Sequence, residues 1–572
     1  MSPSFVSKII LTVAIIVLIG TAYSMNRDYQ DIWILQGLEI PFVMFVVTFA
    51  FAFYVEKRVL LRVALAVLGR TIFMLIPAVK YVWFQGPWID MNVQHALANY
   101  VVTNGHIMTS PTIYQVYSDS PLIHLSLAIF SSFLNIPVAS SMKYLPVFWS
   151  MLFPLLVYII AKNMFPSEST LLGCALFISA IPISMAQYYV SGSLFGLLLV
   201  HFILTILVLM YVKNNRIGFW PILLLSVFVL AAAHSVSSAI FTVIIIILLF
   251  LKRFSRLGIS SFLSNSEVLT LVLIGLAWFV FRAYGTLQTI LHVYLVEVRS
   301  GTTPVSQRIG TGSFEVLRSN PVAAITSFVV IYGADVLFLL LTFVGLLLMF
   351  RSRKRLNQVS IFITVFYSIV IVLGVVSVAL QVGGPRVLWV AEKLFPIFSS
   401  VFILGVYRKK TWFRKLTIGV VFSLIIFLAT IEFYGYQPLV PSANVLSEFK
   451  DLPSSVQMGY SGLVNSIFQR QMIFFAENYI SGKVAAVFPI TTQVLGLTDA
   501  NFSLAVVSYD PLDSNFTKPY YDYLLIHMPG PAGDYSGTPD LSVNDPVQVS
   551  DYVSNRTIIY TNGESYILTN RP

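Results

Sequence analysis

One polar stretch, residues 87–120, stands out in a chain that is otherwise rich in hydrocarbon side chains. It carries four residues able to do acid–base chemistry: Asp90, His95, His106 and Asp119. Asp90 comes just after Pro87-Trp88, and a carboxylate suits general-base removal of a proton from an acceptor hydroxyl. Asp90 is therefore the leading candidate for a catalytic base. The ordinary alternative is that Asp90 caps a helix over residues 91–103 and that the histidines form local hydrogen bonds.

Two other segments carry candidate substrate-binding residues. His234 lies in a short turn between two apolar runs, where an ionisable group is either functional or a helix cap satisfied by Ser235 or Ser237. Residues 285–320 hold Glu297, Arg299 and Arg308 among glycine breaks. A segment of this kind is a candidate lid over an active site, and its ordinary alternative is a solvated loop.

Two cations form a candidate phosphate site. Arg386 follows Gly383-Gly384-Pro385, and Lys393 lies seven residues further on, about two turns along the same helix face. Such a pair could hold the phosphate of a lipid headgroup. The alternative is snorkelling of the two side chains, with Glu392 as a partner.

The motifs give no sign of a required metal or cofactor. The chain has one cysteine, Cys174, which excludes an internal disulfide and a cysteine-based metal site. It contains no HExxH or DxD sequence, and no cluster with metal-ligand spacing. A divalent ion bound by carboxylates is compatible with the composition, but no motif indicates one.

The composition is that of an α-helical polytopic membrane protein. Of 572 residues, 57% are hydrophobic and 10% are charged, with a mean hydropathy of +0.82. Apolar segments of about 20 residues, the length that spans a bilayer, recur along the chain. The net charge of +10 does not indicate nucleic acid, because the basic residues cluster in short loops between apolar segments, as the positive-inside rule predicts.

We predict about thirteen spans, at 7–24, 32–55, 59–82, 143–162, 168–186, 193–212, 217–233, 235–251, 267–284, 321–350, 357–380, 386–406 and 414–434. Basic residues then fall in loops on one side, around positions 57–58, 162, 213–216, 252–256, 351–355 and 408–415. This asymmetry predicts a multi-pass plasma-membrane protein with a cytoplasmic N-terminus and an external C-terminal domain.

The first outer loop is predicted to cover residues 83–142. Its segment 120–136 is apolar, but it is short for a span and contains His124 and several serines. Counting it as a span would also place every later basic loop outside. We therefore predict two loop helices, 91–103 and 121–134, the second re-entrant or interfacial.

The chain divides into an N-terminal transmembrane hairpin (1–58), a transmembrane module (59–434) and a polar C-terminal domain (435–572). Strand-like runs in the last part, at 483–490, 504–509, 523–528 and 558–568, predict a small α/β or mostly β domain. Asn562-Gly563 marks a hairpin turn. The possible N-glycosylation sites Asn501, Asn515 and Asn555 all lie in this domain.

Four features follow one another in and after the first outer loop: an acidic residue just after a span (Asp90), a helix followed by Asn104-Gly105, then Tyr117-Ser118-Asp119-Ser120-Pro121-Leu122-Ile123-His124, and Lys143-Tyr144-Leu145-Pro146 opening a span that ends at Ala161-Lys162. This arrangement resembles that of the C-type (GT-C) glycosyltransferase superfamily. In particular, the chain looks like the archaeal and bacterial branch that uses polyprenyl-phosphate sugars. The resemblance covers roughly residues 59–434.

The resemblance implies an inverting transferase that moves a hexosyl or pentosyl group from a polyprenyl (dolichyl) phosphate to a hydroxyl of a lipid, glycan or protein acceptor in the cell envelope. It also implies roles for three positions: Asp90 as the base, His234-Ser235 as the family's histidine-serine turn, and Arg386 as the contact to the lipid phosphate. The chain departs from the family in having a single acid at Asp90 and no acidic pair in residues 187–193. The second departure argues against an oligosaccharyltransferase and against a required metal.

Two other functions compete with this interpretation. A lipid or solute transporter or scramblase would need ionisable groups near the bilayer midplane, where Arg70 is the main candidate. A non-catalytic envelope scaffold would use its external domain to bind another protein. Convergence of Asp90, His234 and Arg386 on one cavity would favour the enzyme.

Overall fold

The computed structural model describes residues 49, 56, 58–80, 89–107, 120–182, 190, 192–252, 263–284, 337–351, 356–379 and 395–407, together with five strands between 484 and 569. The helices in these residues are α1 Val59–Lys80, α2 Ile89–Asn104, α3 Leu122–Leu134, α4 Val138–Met164, α5 Ser169–Ala180, α6 Gly192–Lys213, α7 Arg216–Ala233, α8 Ser235–Lys252, α9 Asn265–Phe281, α10 Leu337–Arg351, α11 Gln358–Ala379 and α12 Phe395–Tyr407. The strands are β1 Val484–Val487, β2 Ser508–Tyr509, β3 Tyr523–His527, β4 Ile558–Thr561 and β5 Ser565–Thr569.

Most predicted spans that fall in the described residues are helices with nearly the predicted bounds. Segments long and apolar enough to cross a membrane occur in four of them: Ser140–Met164, Leu194–Lys213, Arg216–Ala233 and Gln358–Val376. The predicted spans 7–24 and 414–434, and all of 32–55 except Phe49, lie outside the described residues. The described chain is therefore a multi-helix membrane bundle.

Helix α4 is the centre of the bundle. It packs against α1, α5 and α6, and also against α2, α3, α11 and α12. Its buried aromatic side chains tie it to these neighbours; the Trp149 ring, for example, stacks on Phe195 of α6 with centroids 4.3 Å apart. Pro146 and Pro154 lie inside the helix, a position tolerated where neighbouring helices surround the freed backbone groups.

One predicted span is wrong in length. The segment 168–186 was expected to cross the membrane, but α5 ends at Ala180 after 12 residues, about 18 Å of helix. Ile181 adopts an extended conformation, with φ −95° and ψ 123°, because the ring of Pro182 disfavours helical geometry in the residue before it. The helix thus stops part-way through the thickness of the bundle.

Loops predicted to share the basic side are in contact in two pairs, and we call this predicted side of the bundle the basic end. There Arg216, at the start of α7, pairs with Glu267, at the start of α9, at 2.8 Å. The Asn357 amide donates to the carbonyls of Asn163 and Met164 at 2.9 and 3.2 Å. These contacts agree with the membrane topology predicted from the charges of the loops.

The two predicted loop helices are both present, as α2 and α3, and they pack against each other. Helix α3 has 13 residues, about 20 Å, which is too short to span a bilayer of roughly 30 Å. Its other side is apolar and exposed, with Ile129 at 66% and Phe133 at 84%. Segment 120–136 is therefore a short helix, as the charge count required.

The strands form one mixed sheet of order β2-β1-β3-β5-β4. Strand β1 pairs in parallel with β2 and β3, whereas β5 pairs antiparallel with β3 and β4. Each strand falls within, or one residue beyond, a run predicted from the sequence, and β4 and β5 form the hairpin expected around Asn562-Gly563.

Candidate functional site

Asp90 is the second residue of α2. It is therefore inside the first helical turn, and the expectation that it caps a helix beginning at residue 91 is wrong. A negative charge is favoured near the N-terminus of a helix, because the peptide dipoles leave partial positive charge there. Position 90 lies one turn before Gln94 on the same helix face, and Gln94 is buried. The candidate base thus lies one helical turn from a buried polar residue of the same helix.

His95 is buried on the same helix. Its Nε2 atom lies 3.4 Å from the amide nitrogen of Asn99, a donor, so Nε2 accepts and the proton is assigned to Nδ1. That Nδ1 atom has no partner, and neither does the side-chain oxygen of Gln94 beside it. Burial lowers the pKa of His95 to about 4, which keeps the imidazole neutral at physiological pH.

Three residues that the sequence did not single out as site residues belong beside these: Gln94, Ser120 and His124. His124 is wholly buried in α3, and neither ring nitrogen has a partner. Ser120, one turn before it, is buried with an unpartnered hydroxyl. Burial lowers the pKa of His124 to about 4. The sequence did show a histidine among serines in an apolar segment, but we interpreted this only as evidence against a membrane span.

His106 forms a local hydrogen bond, the ordinary role considered for it from the sequence. It is exposed just beyond the end of α2, where its Nδ1–H donates to the carbonyl of Ile107 at 3.1 Å. Its ring meets the edge of Tyr100 at a centroid distance of 5.4 Å. Both contacts are local, so they explain the residue without a substrate.

His234 is the N-cap of α8. Its Nδ1 accepts from the backbone N–H of Ser237 at 3.2 Å and lies 2.7 Å from the Ser237 hydroxyl. Helix α6 approaches this turn closely: a Cβ added at Gly192 would lie 2.8 Å from the His234 ring, and one at Gly196 would lie 2.7 Å from the Ser237 hydroxyl. The capping alternative is confirmed, and the two glycines are what permit the approach.

The remaining candidates lie outside the described residues. They are Asp119, Glu297, Arg299, Arg308, Arg386 and Lys393, with the possible glycosylation sites Asn501, Asn515 and Asn555. Their convergence with Asp90 stays a prediction. Within the described part of the chain, no three His, Cys, Asp or Glu side chains are grouped as metal ligands would be.

Arg70 occupies the middle of α1 and is buried. Its guanidinium donates to the Ser150 hydroxyl at 2.6 Å and to the carbonyls of Ser179 and Ile181 at 3.3 and 3.0 Å. These carbonyls are at the C-terminus of α5, where a cation is favoured. A cavity of about 10 Å³, room for one water molecule, lies beside it. Arg70 therefore holds the end of the shortened helix, which gives this midplane charge a structural role rather than one in a transport pathway.

The chain is similar to known proteins in its structure only. No protein-family model and no curated protein sequence matches the chain. The structure of ArnT from Cupriavidus metallidurans bound to undecaprenyl phosphate is 11% identical, with a TM-score of 0.51 over 90% of this chain and 98% of that chain. The same protein in the apo state aligns at a TM-score of 0.50 and 11% identity, over 90% and 97%.

The oligosaccharyltransferase of Archaeoglobus fulgidus also aligns, at 11% identity and a TM-score of 0.47 over 78% of this chain, but the chain spans only 64% of that protein. The ArnT alignment covers nearly the whole of both chains, so it is the one that defines the architecture. The chain therefore has the fold of ArnT, in agreement with the fold that the motifs of its first outer loop predicted.

Proposed function

We propose that this protein is an inverting membrane glycosyltransferase that moves a sugar from a polyprenyl-phosphate donor to an acceptor hydroxyl at the outer face of the membrane. One observation carries the proposal. On a bundle with the GT-C fold, Asp90 lies in the first turn of α2, one helical turn before the buried Gln94. The ArnT of similar fold was crystallised with undecaprenyl phosphate, which supports a lipid phosphate as the leaving group.

In the proposed reaction the Asp90 carboxylate takes the proton of the acceptor hydroxyl. The acceptor oxygen attacks the anomeric carbon on the side opposite the phosphate. A carbon–oxygen bond to the acceptor forms as the bond from the anomeric carbon to the phosphate oxygen breaks, so the configuration inverts. The electron pair leaves with the polyprenyl phosphate.

The departing phosphate needs stabilisation of negative charge rather than a strong acid. Arg386 and Lys393 are proposed for this role, because they lie two helical turns apart at the outer end of a predicted span. The scheme uses no metal ion. The sugar, whether a hexose or a pentose, and the lipid, glycan or protein acceptor are left open by the sequence pattern.

The proposed topology has about thirteen spans, a cytoplasmic N-terminus and the C-terminal sheet outside. Contacts between two pairs of the predicted basic loops support it. Under this topology α2 and α3 lie outside, where a membrane-held donor and an external acceptor meet.

The proposal is tested with Asp90→Asn. We expect purified protein carrying this change to transfer labelled sugar from polyprenyl phosphate about 10²–10⁴-fold more slowly than the unmodified protein, because the amide cannot accept the proton. Binding of the donor should be unchanged.

A matched control is Asn104→Ala, which removes an exposed side chain from the other end of the same helix and should leave transfer unaltered. The thermal midpoint of each variant reports its folding. Transfer at the normal rate by folded Asp90→Asn protein would rule out the assignment.

A further inference from the structure

Unpartnered polar atoms are concentrated in the α2–α3 pair. Nine buried side-chain nitrogen and oxygen atoms in the described residues lack a hydrogen-bond partner. Five of them belong to the pair: Gln94 Oε1, His95 Nδ1, Ser120 Oγ and both ring nitrogens of His124. The other four are single atoms on Ser238, Trp278, Thr342 and Ser399. Buried polar groups are normally paired, so a cluster of this kind calls for an explanation.

The burial of the four residues is nearly complete. Their exposed fractions are 4% for Gln94, 5% for His95, 6% for Ser120 and 0% for His124. Gln94 and His95 are consecutive in α2, whereas Ser120 lies two residues before α3 and His124 is the third residue of α3. The two helices that carry these pairs pack against each other.

The free atoms form a balanced set of donors and acceptors. His95 offers an N–H, and neutral His124 offers one N–H and one acceptor nitrogen. The Gln94 oxygen accepts, and the Ser120 hydroxyl does both. A sugar hydroxyl also donates one hydrogen bond and accepts others, so neighbouring hydroxyls of a sugar ring complement this set.

The set is also uncharged. Burial keeps both imidazoles neutral, since the pKa of each is lowered to about 4. The four side chains therefore offer no cation to a phosphate, and they include no carboxylate for a metal ion. A neutral ligand rich in hydroxyl groups is the class that fits.

We propose that Gln94, His95, Ser120 and His124 form a subsite for the hydroxyl groups of a sugar, entered when α2 and α3 move apart. The inference rests on the proposed function for its place in the reaction: Gln94 is one turn from Asp90 on the same helix face, about 5–6 Å between Cβ atoms. A sugar bound there lies beside the base. The unpaired atoms make the closed arrangement of the helices costly, and the sugar supplies their missing partners.

The test is hydrogen–deuterium exchange on the full chain in lipid nanodiscs. The probes are methyl α-mannopyranoside and methyl β-glucopyranoside, with sodium phosphate as the control solute. We expect at least one glycoside to slow exchange in α2 and α3, by about tenfold when its concentration is ten times its dissociation constant. Phosphate should have no effect.

Two variants give the comparison. His124→Leu removes both free nitrogens and should weaken the protection by sugar. Ser131→Ala removes a buried hydroxyl from the same side of α3, but this hydroxyl already has a partner, the carbonyl of Ile136, so protection should persist. Equal protection in the His124→Leu protein would overturn the subsite, as would no protection of the unmodified protein by either glycoside.

A double-mutant cycle tests whether the two helices share one sugar. His95→Leu and His124→Leu should each weaken the glycoside, and their effects should not multiply when combined, because contacts to one bound ring are coupled. Independent, multiplicative effects would overturn a single shared site. Asp90→Asn should keep the protection, because the subsite does not include the carboxylate. If the unmodified protein binds a glycoside but transfers no sugar, the proposed function is wrong and the subsite stands.

Discussion

The basic end of the bundle and the α2–α3 pair differ in how their polar side chains are paired. At the basic end, polar side chains cap helices and join loops: Ser264 and Glu267 form a reciprocal capping box at the start of α9, and Ser360 donates to the Met164 carbonyl at 2.8 Å. In the α2–α3 pair, by contrast, five polar atoms are buried without partners.

The two regions differ in what their polar groups contribute to stability. A satisfied hydrogen bond contributes about 1 kcal/mol, whereas a buried group left without a partner costs about 1–3 kcal/mol. Proteins keep such costs mainly where function requires them. The contrast is what the proposed sugar subsite predicts, and three measurements test it.

The largest expected effect is a loss of stability of the pair in acid. The pKa values of His95 and His124 are lowered to about 4, below the usual 6.5 of an unfolded chain. The neutral histidines contribute to stability in full above pH 6.5. This contribution falls by on the order of 3 kcal/mol for each histidine as the pH drops towards 4. Exchange rates of α2 and α3, corrected for intrinsic pH dependence, should rise over that window.

Helix α9 at the basic end is the internal reference for the acid experiment. Its exchange should change less between pH 6.5 and 4 than that of the pair. The double variant His95→Leu/His124→Leu should lose most of the pH dependence, and an unaltered profile in that variant would contradict the assignment to these histidines.

A smaller effect is expected for His124→Leu, which should raise the stability of the protein, whereas most core substitutions lower it. Removing two unpartnered nitrogens without a large change of volume should stabilise the protein by about 1–3 kcal/mol. The reactivity of Cys174, the single cysteine, with a thiol-specific dye during heating reports the unfolding midpoint.

Ser131→Ala is the control for that midpoint, because it removes a satisfied bond and should lower it. If His124→Leu also lowers the midpoint, the polar side chains of the α2–α3 pair stabilise the fold as those of the basic end do.

The smallest effect is expected at the Arg216–Glu267 pair, where the Arg216 side chain is 43% exposed. Glu267→Gln removes the charge but keeps an oxygen for the Ser264 N–H, so it should cost only about 0.5 kcal/mol. Glu267→Ala also removes the acceptor of the Ser264 backbone N–H, one of the two bonds of the capping box, and should cost about 1 kcal/mol more.

Thermal midpoints distinguish the two variants, and transfer activity should be unaffected in both. Loss of transfer in either, with folding intact, would show that the basic end is more than scaffold.

Much of the bundle was predictable because hydrophobic length and loop charge are properties of local sequence. The charge count removed segment 120–136 from the set of spans, and the structure has a 13-residue helix there. The prediction failed at α5, where apolar composition continues past residue 180 but Pro182 stops the helix. Hydropathy measures transfer to hydrocarbon and does not register the steric restriction on Ile181.

The site was less predictable for a physical reason. Asp90 and His95 could be named from the sequence because residue type and position after a span suggest their chemistry. Burial and hydrogen-bond pairing depend instead on which helices pack together. His106 and His124 are both histidines of one loop, yet the first is exposed with local partners and the second is wholly enclosed with none.

Local composition, spacing and motif were enough to predict the membrane class, the two loop helices, the candidate base and the cap at His234. The packing of the helices was needed to learn that Arg70 holds the end of α5 and that Gln94, Ser120 and His124 are buried without partners. Those outcomes depend on contacts between segments distant in the chain, which local patterns do not encode.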